Sequence, residues 1–510
     1  MKNTTANNKR IAKNTILLYF RMLFMMVVSL YTSRVILNTL GVEDFGIYNV
    51  VGGVVTLFTF LNGSMSTATQ RYLTFEIGTG NVEKLKKIFS ICITIHGLIA
   101  LIIVVLAETI GLWFLTNEMN IPVERMHAAM WVYQLSILTC VILMMSVPYN
   151  ADIIAHEKMG VFAYISIFEV TAKLLVVYLL TYFDYDKLII YAILIFCIQT
   201  IIRMIYGIYC KRHFDETKYK FTWDRVLLKE MLSFAGWNMF GILAGIGITQ
   251  GVNIILNIFF GPIVNAARAI AVQVQNAITG FCSNFQLALS PQITKSYAGN
   301  EMEKMHQLVF ASSKYSFFLL FFLSLPLLIE TNQVLAWWLK NVPAYTINFV
   351  RIMLCISMVN VMADSLLVAS QATGKVRLYQ TLVGGILLFI IPISYLALKL
   401  GYPPESVFFV HLLFAIIAQG IRLYIVHNLI HFSISQYIRE VVMKSIYVIF
   451  FSSIIPILYH IFMETTLTRF LAVGVLSVLS VIISIYIFGL NIAERNFIKK
   501  QIQKRIFHGK

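Results

Sequence analysis

Fourteen apolar windows, each long enough to cross a lipid bilayer as a helix, recur along the whole chain. Their centres lie near residues 26, 58, 98, 139, 171, 198, 245, 277, 320, 358, 388, 417, 451 and 479. The composition agrees with these windows, because 59% of the residues are hydrophobic and only 13% are charged. We therefore predict an all-α polytopic membrane protein with about fourteen transmembrane helices.

Lys and Arg are distributed unevenly between the segments that connect these windows. With the N-terminus in the cytoplasm, the cytoplasmic segments hold 27 basic residues, and the opposite side holds five: Arg125, Lys187, Lys340, Lys399 and Arg469. Because basic residues concentrate on the cytoplasmic side of membrane proteins, both termini are predicted to be cytoplasmic. This asymmetry accounts for much of the net charge of +16, and the basic residues form no cluster that is typical of nucleic-acid binding. We expect no nucleic-acid partner.

Short sequence matches recur at an offset of about 215–220 residues. The matched pairs are Ile36-Leu37-Asn38 with Ile255-Leu256-Asn257, Gly41 with Gly261, Gly80-Asn81 with Gly299-Asn300, and Lys158 with Lys375. The pattern predicts two pseudo-symmetric six-helix bundles, over residues 1–213 and 214–430. Residues 431–510 would add helices 13 and 14 and a basic cytoplasmic tail. Transporters built from two such halves bind their substrate between them.

One of the spanning-length stretches, residues 265–291, is polar along one side. On a helix its polar side chains recur at spacings of three, four or seven residues, namely Asn265, Arg268, Gln275, Thr279 and Gln286. Bare hydrocarbon makes a buried charge expensive, so this side faces water or protein. It forms either the wall of a polar pathway or a helix–helix seam from which Arg268 extends to the nearer surface. We favour the pathway, because the polar side continues beyond the reach of an arginine.

Most charges within the predicted helices are basic. Arg34 and Asn38 share one face of helix 1, and Arg21 lies closer to the cytoplasmic end. Guanidinium groups that face a lumen of low dielectric constant need an anion, and diphosphate fits their planar fork. The residues that we predict to bind substrate are Arg21, Arg34, Asn38, Arg268 and Gln275.

Other charged residues in the spans have different predicted roles. Arg203, Arg351 and Arg422 lie near predicted helix ends, and we expect them to extend to the membrane surface. Glu169 is one turn from Lys173 and is its expected partner. Asp364 could couple transport to an ion, but we favour a structural ion pair between Asp364 and an arginine of the lumen.

Enzyme signatures are not found in the sequence. It contains no nucleophile elbow, no zinc-protease motif and no phosphate-binding Gly-rich loop. Asp184-Tyr185-Asp186 resembles the metal-binding DxD of glycosyltransferases, but it lies in a tight exterior turn, where acidic residues are common. The connecting segments are also too short for a folded catalytic domain. We expect no catalytic residue, no metal and no cofactor.

Four segments carry a resemblance to a known family. They are residues 14–16 (NTI) with Ser33-Arg34, residues 40–48 (LGVEDFGIY), residues 266–271 (AARAIA) and residues 291–297 (PQITKSY). They are similar to segments of the polysaccharide-unit (O-antigen) flippases of the multidrug/oligosaccharidyl-lipid/polysaccharide (MOP) superfamily. The similarity covers about helices 1–12.

The resemblance implies a MATE-like fold, with two six-helix bundles in a V around a cationic lumen that opens alternately to each side. Arg34 and Arg268 match the basic lumen of the family, and Arg21 matches it less well. The implied cargo is an oligosaccharide linked to undecaprenyl diphosphate. It would move from the cytoplasmic to the periplasmic leaflet of a bacterial inner membrane, for the synthesis of O-antigen, capsule or exopolysaccharide. The implied partners are membrane lipids and the polymerase and chain-length machinery for the polysaccharide.

Two alternatives stay open. A drug or cation exporter of the MATE type would have a buried acid in its binding lobe, whereas Glu169, the deep acid of the first lobe, has Lys173 beside it. An integral-membrane glycosyltransferase or polymerase would need a large exterior loop and a catalytic acid or base.

Overall fold

The computed structural model describes residues 2–56, 59–117, 119, 121–182, 185–339, 341–464, 466–492, 494–496 and 499. All regular elements formed by these residues are helical, which confirms the predicted all-α architecture. The long helices follow the apolar windows in order. They are α1 (Lys2–Thr56), α2 (Thr59–Thr79), α3 (Val82–Asn117), α4 (Val123–Ala155), α5 (Met159–Leu179), α6 (Lys187–His213), α7 (Arg225–Phe260), α8 (Pro262–Ala298), α9 (Met302–Ile329), α10 (Thr346–Thr373), α11 (Arg377–Lys399), α12 (Ser406–Ile430), α13 (Ile434–Phe462) and α14 (Leu467–Gly489).

Two of these helices are more polar than the rest. Within the described residues, twelve helices are long and apolar enough to cross a membrane, and α1 contributes Ala12–Gly41 to that set. The other two, α2 and α8, are helices of 21 and 37 residues, which at about 1.5 Å per residue are also long enough to span. The predicted set of about fourteen helices therefore consists of twelve apolar helices and two polar ones.

The backbone bends at equivalent places in the two halves of the sequence. Three pairs of residues have positive φ and lie 220, 220 and 217 residues apart: Gly41 (81°) with Gly261 (75°), Gly80 (75°) with Asn300 (56°), and Glu157 (58°) with Gly374 (79°). Each residue interrupts or ends a helix. Positive φ is rare for residues other than glycine, so three matched occurrences show that the internal repeat extends to the backbone.

The chain divides into two compact units whose boundaries fall inside α7 and α8. The first unit contains residues 1–243 and 288–301, and the second contains residues 244–287 and 302–510. In the first unit the large side chains of Phe89 and Tyr133 are fully buried, and in the second those of Phe349 and Tyr437 are. The bundle boundaries at 213 and 430 stay predictions from the sequence.

The C-terminal end of α8 lies against α2 within the first unit. α8 continues through Pro291 to Ala298, and a Cβ added to Gly78 would lie 2.7 Å from Cβ of Ala298 and 3.0 Å from Cα of Lys295. Glycine is therefore needed at position 78, because any larger residue would push the backbones of the two helices apart. Phe75 and Tyr297 pack their rings beside this contact, with centroids 6.3 Å apart.

Candidate substrate-binding site

Arg268 on α8 is buried among neutral groups of the second unit. Its side chain is only 9% exposed, so it does not extend to the surface. The guanidinium donates from Nη2 to the carbonyl oxygen of Thr249 (2.8 Å) and from Nη1 to Oδ1 of Asn253 (3.4 Å), both on α7. Its Nε has no hydrogen-bond partner among the described residues. In that part of the chain no carboxylate pairs with Arg268, so its charge is not compensated by an acid.

Two other residues of the polar side of α8 bond to α10. Gln275 donates to Oγ of Ser357 (2.7 Å), and Gln286 donates to the carbonyl oxygen of Val361 (3.0 Å). Thr279 donates to the carbonyl oxygen of Gln275 in its own helix. The bonds of Gln275 and Gln286 fit a helix–helix seam, which is the alternative to a polar pathway. Sequence spacing alone could not distinguish the two, because both need the same one-sided pattern.

Asp364 on α10 belongs to a polar cluster in the second unit. Its carboxylate interacts with Gln286 and with the charge of Arg422 on α12. Arg422 is 7% exposed and is in hydrogen-bonding contact with Tyr379, so the expectation that it extends to the membrane surface is wrong. The Asp364 side chain itself is exposed. Arg422 acts on Asp364 through its charge, but the described residues show no ion pair between Asp364 and an arginine, so the structural ion pair stays a prediction.

Arg21 on α1 belongs to a second cluster, in the first unit. Its guanidinium carbon lies 4.2 Å from the centre of the Phe162 ring, and its charge interacts with Glu169. Glu169 accepts hydrogen bonds from Lys173 (2.6 Å) and Gln199 (2.8 Å), which confirms the predicted pairing of Glu169 with Lys173. Two basic groups surround this one acid, so the cluster keeps a net positive charge.

Arg34 and Asn38 lie one turn apart on α1, and both side chains are exposed. Among the described residues, Arg34 forms no ion pair. Tyr31, one turn earlier, shares a hydrogen bond between its hydroxyl and that of Tyr178 on α5 (2.7 Å). The structure thus places Arg34, Asn38 and Arg21 in the first unit, and Arg268 and Gln275 in the second.

Sequence reasoning missed the partners that complete these clusters. Gln199 lies 30 residues from Glu169, and Tyr379 and Arg422 belong to different helices. His411 also lies near Arg268, whose positive charge would repel a charged imidazole, so it is a neighbour of Arg268 and not a compensating partner. The sequence indicated these residues only weakly. Each is a polar residue inside an otherwise apolar helix, where a polar side chain is costly unless it has a partner.

The DxD candidate has a structural role at Asp186, whereas Asp184 lies outside the described residues. Asp186 accepts hydrogen bonds from the backbone NH groups of Leu188 and Ile189, at the start of α6. Arg125 bridges Asp186 (2.6 Å) and Asp44 (2.6 Å). Partial burial raises the pKa of the Asp186 carboxyl, but the hydrogen bonds and charge of Arg125 outweigh this effect and hold the pKa below its ordinary value.

Comparison with known proteins identifies the fold. No protein-family model and no curated protein matches the sequence. Among solved structures, an outward-facing MATE multidrug-resistance transporter of the MOP superfamily matches with a TM-score of 0.70 and 12% identity, over 83% of this chain and 96% of that one. A MATE transporter in its bent conformation matches with a TM-score of 0.72 and 12% identity, over 83% and 96%.

A third neighbour is a MOP superfamily transporter from Pyrococcus furiosus, in which the reverse polarity of the binding pocket suggests a different function. It matches with a TM-score of 0.66 and 13% identity, over 84% of this chain and 96% of that one. All three match at low sequence identity and over most of both chains. This chain therefore has the fold of the MATE transporters of the MOP superfamily.

Proposed function

We propose that this protein is a flippase for oligosaccharides linked to undecaprenyl diphosphate. It moves them by alternating access from the cytoplasmic to the periplasmic leaflet of a bacterial plasma membrane, for the synthesis of a surface polysaccharide. The observation that carries the proposal is Arg268, a buried guanidinium whose hydrogen bonds within the described residues go to the neutral groups of Thr249 and Asn253. A buried charge is stable only when an opposite charge or strong hydrogen bonds compensate it. A diphosphate supplies both.

Two features of the first unit support an anionic cargo. Arg34 is exposed, and its guanidinium is available to a ligand, while Asn38 one turn away offers an amide to sugar hydroxyls. Around Arg21, Lys173 already neutralises Glu169, so the arginine adds a positive charge to this part of the unit. Arg268 also lies within residues 266–271, one of the segments that resemble the flippases.

The second candidate is a MATE-type exporter of drugs or organic cations. The structural neighbours favour it, since one of them is a multidrug-resistance transporter, and so does the exposed acid Asp364. A cation site needs an acid that is free to bind the cation. Asp364 interacts with Arg422, and Glu169 pairs with Lys173. Because a basic group already acts on each of these two acids, we prefer the flippase.

Deletion of the gene followed by lipid extraction separates these functions. A flippase predicts that completed lipid-linked repeat units accumulate while susceptibility to cationic drugs is unchanged. Unfinished units would point to a glycosyltransferase instead. Raised drug susceptibility without accumulated lipid-linked units would favour the exporter. Complementation with the parental gene, and with the Arg268→Ala variant at matched membrane abundance, ties the result to the proposed site.

A further inference from the structure

Three potential metal ligands converge on the first unit, away from the residues discussed above. They are Asp152, His156 and Glu216, and their ligand atoms all lie within 4.8 Å of one another. Asp152 and His156 are four residues apart at the end of α4, so they share one face. Glu216 belongs to the short turn Asp215–Thr217 that follows α6. The cluster therefore joins two segments that are about 60 residues apart in the sequence.

The buried carboxylate of Asp152 indicates that this cluster binds a ligand. Its side chain is fully buried, and neither carboxylate oxygen has a hydrogen-bond partner among the described residues. Nε2 of His156 lies 3.8 Å from Oδ1 of Asp152, which is too far for a hydrogen bond. The same nitrogen lies 2.6 Å from Oε1 of Glu216, so it is directed at that acid instead. A second carboxylate so close adds repulsion between like charges, and burial makes this repulsion stronger.

The surrounding residues hold His156 and the turn of Glu216 in place. The imidazole of His156 stacks on the Phe214 ring, with centroids 4.1 Å apart and an interplanar angle of 8°. Thr217 is fully buried and donates to the carbonyl oxygen of Phe214 (2.8 Å), which fixes the turn that carries Glu216. Glu216 is only 4% exposed. The His156 side chain keeps 26% of its surface exposed, so an ion has access from solvent.

We propose that Asp152, His156 and Glu216 bind one divalent transition-metal ion, best represented by Zn²⁺. One imidazole and two carboxylates are ordinary zinc ligands at about 2.0–2.2 Å, and an open fourth position is common. Donors around one tetrahedral ion at these distances lie about 3.3–3.6 Å apart, so Oε1 of Glu216 must move away from Nε2 of His156 and Oδ1 of Asp152 must move closer to it. The two positive charges of the ion balance the two carboxylates. The imidazole ligand favours a transition metal over Mg²⁺, which prefers oxygen ligands and retains its water.

Bound metal would connect the turn after α4 to the segment that leads into α7. The next residue in that turn is Glu157, whose carboxylate binds Gln292 and Lys295 at the end of α8. The ion would therefore stabilise the first unit at the point where α8 joins it.

The test is a zinc titration of the full-length protein after removal of any purification tag and of bound metal. Isothermal titration calorimetry should show one Zn²⁺ per chain. Asp152→Asn and His156→Gln should each weaken the affinity at least about 10-fold, because each removes a direct ligand. His213→Gln and Asp215→Asn should bind like the parent, since both residues are exposed and lie outside the cluster. Titration with Co²⁺ should give visible absorption bands that change in His156→Gln.

The midpoint of thermal unfolding should rise with Zn²⁺ in the parent and not in the two ligand variants. If Asp152→Asn does not fold, the partly exposed His156→Gln carries the comparison. Absence of a one-to-one zinc complex in the parent overturns the proposal, and so does parental affinity in His156→Gln. An equal loss of affinity in His213→Gln would also overturn it, because the binding would then not depend on this cluster.

Discussion

Nζ of Lys295 lies 2.8 Å from Oε1 of Glu157, and Glu157 makes this contact from a left-handed backbone conformation with φ of 58°. Gln292, one turn before Lys295, donates to the other carboxylate oxygen (2.6 Å). The equivalent position in the second half of the sequence is Gly374, which adopts positive φ without steric cost. The bonds of Glu157 to α8 therefore offset the strain of its backbone conformation.

Two substitutions at Glu157 separate the bonds from the strain. Glu157→Ala removes the bonds and keeps the strain, so the free energy of unfolding should fall by about 2 kcal/mol. Glu157→Gly removes both, and relief of the left-handed strain should return about 1 kcal/mol. Thermal unfolding midpoints of the purified protein should therefore rank parent, then glycine, then alanine. Lys158→Ala, an exposed neighbour in the same turn, is the control. A glycine variant that is no more stable than the alanine variant contradicts the strain argument.

Arg268→Ala should strongly reduce surface glycan while the protein reaches the membrane at normal abundance. A charge-assisted hydrogen bond to diphosphate contributes roughly 1.5–3 kcal/mol, and this variant removes it. Arg268→Lys should restore export only in part, because an ammonium group cannot hold two oxygens as the planar guanidinium does. Arg225→Ala, at the exposed first position of α7, is the matched control. Quantification of surface polysaccharide and immunoblotting of membranes give the two readouts.

Export at the parental rate by Arg268→Ala would show that the basic-site mechanism is wrong at this residue. Complete rescue by lysine would keep the requirement for charge and reject the requirement for two parallel hydrogen bonds.

Asp364→Asn should reduce stability and leave the ion dependence of transport as in the parent. The substitution removes the acid that faces the buried Arg422, and an uncompensated buried charge is costly. The double variant Asp364→Asn/Arg422→Gln should recover part of the lost stability, because it removes both charges. Transport assayed across pH and sodium gradients, with thermal unfolding in parallel, gives the comparison. A variant that no longer responds to either gradient would instead assign ion coupling to Asp364.

The bridge between Arg125 and Asp186 should weaken in acid. The folded-state pKa of Asp186 is lower than the unfolded value of about 3.9, so its stabilising effect is complete above that value and is lost as the pH falls towards the folded pKa. Asp186→Asn should therefore unfold at a lower temperature than the parent near pH 6, and the difference should shrink below about pH 4. Thermal unfolding from pH 3 to 7 measures it. A difference that stays constant throughout this range would exclude the ionised carboxylate as its cause.

The predicted orientation of the chain can be tested with cysteine labelling. Asn117 and Tyr402 are exposed and should label from outside intact cells when replaced by cysteine. Thr217 would be the obvious interior site in the sequence, but the structure buries it completely, so exposed Lys218 is the better choice. Lys218→Cys should label only after permeabilisation. The parent gives the background, because native Cys197 is exposed. Labelling of Lys218→Cys in intact cells would show that the predicted orientation is wrong.

The sequence was sufficient for local features and insufficient for contacts between distant helices. Apolar windows predicted the twelve apolar helices of the described residues, and the four-residue spacing identified the pair of Glu169 and Lys173. The contact of Glu157 with Lys295 joins residues 138 positions apart, and no periodicity links them. Arg422 was misassigned for a related reason. Its distance from the helix end suggested that it reaches the surface, whereas its burial depends on α10 and α11, which pack around it.

The polarity of α2 and α8 also has a consequence for how the protein enters the membrane. Charged and amide side chains make insertion of a single helix unfavourable, by about 2.5–3.5 kcal/mol for an arginine at mid-helix. Each polar helix follows a more apolar one in the chain, α2 after the Ala12–Gly41 part of α1 and α8 after α7. We expect each polar helix to leave the translocon only together with the helix before it, as a hairpin. Gly41, which interrupts α1, and Gly261, between α7 and α8, would then matter for biogenesis as much as for the finished fold.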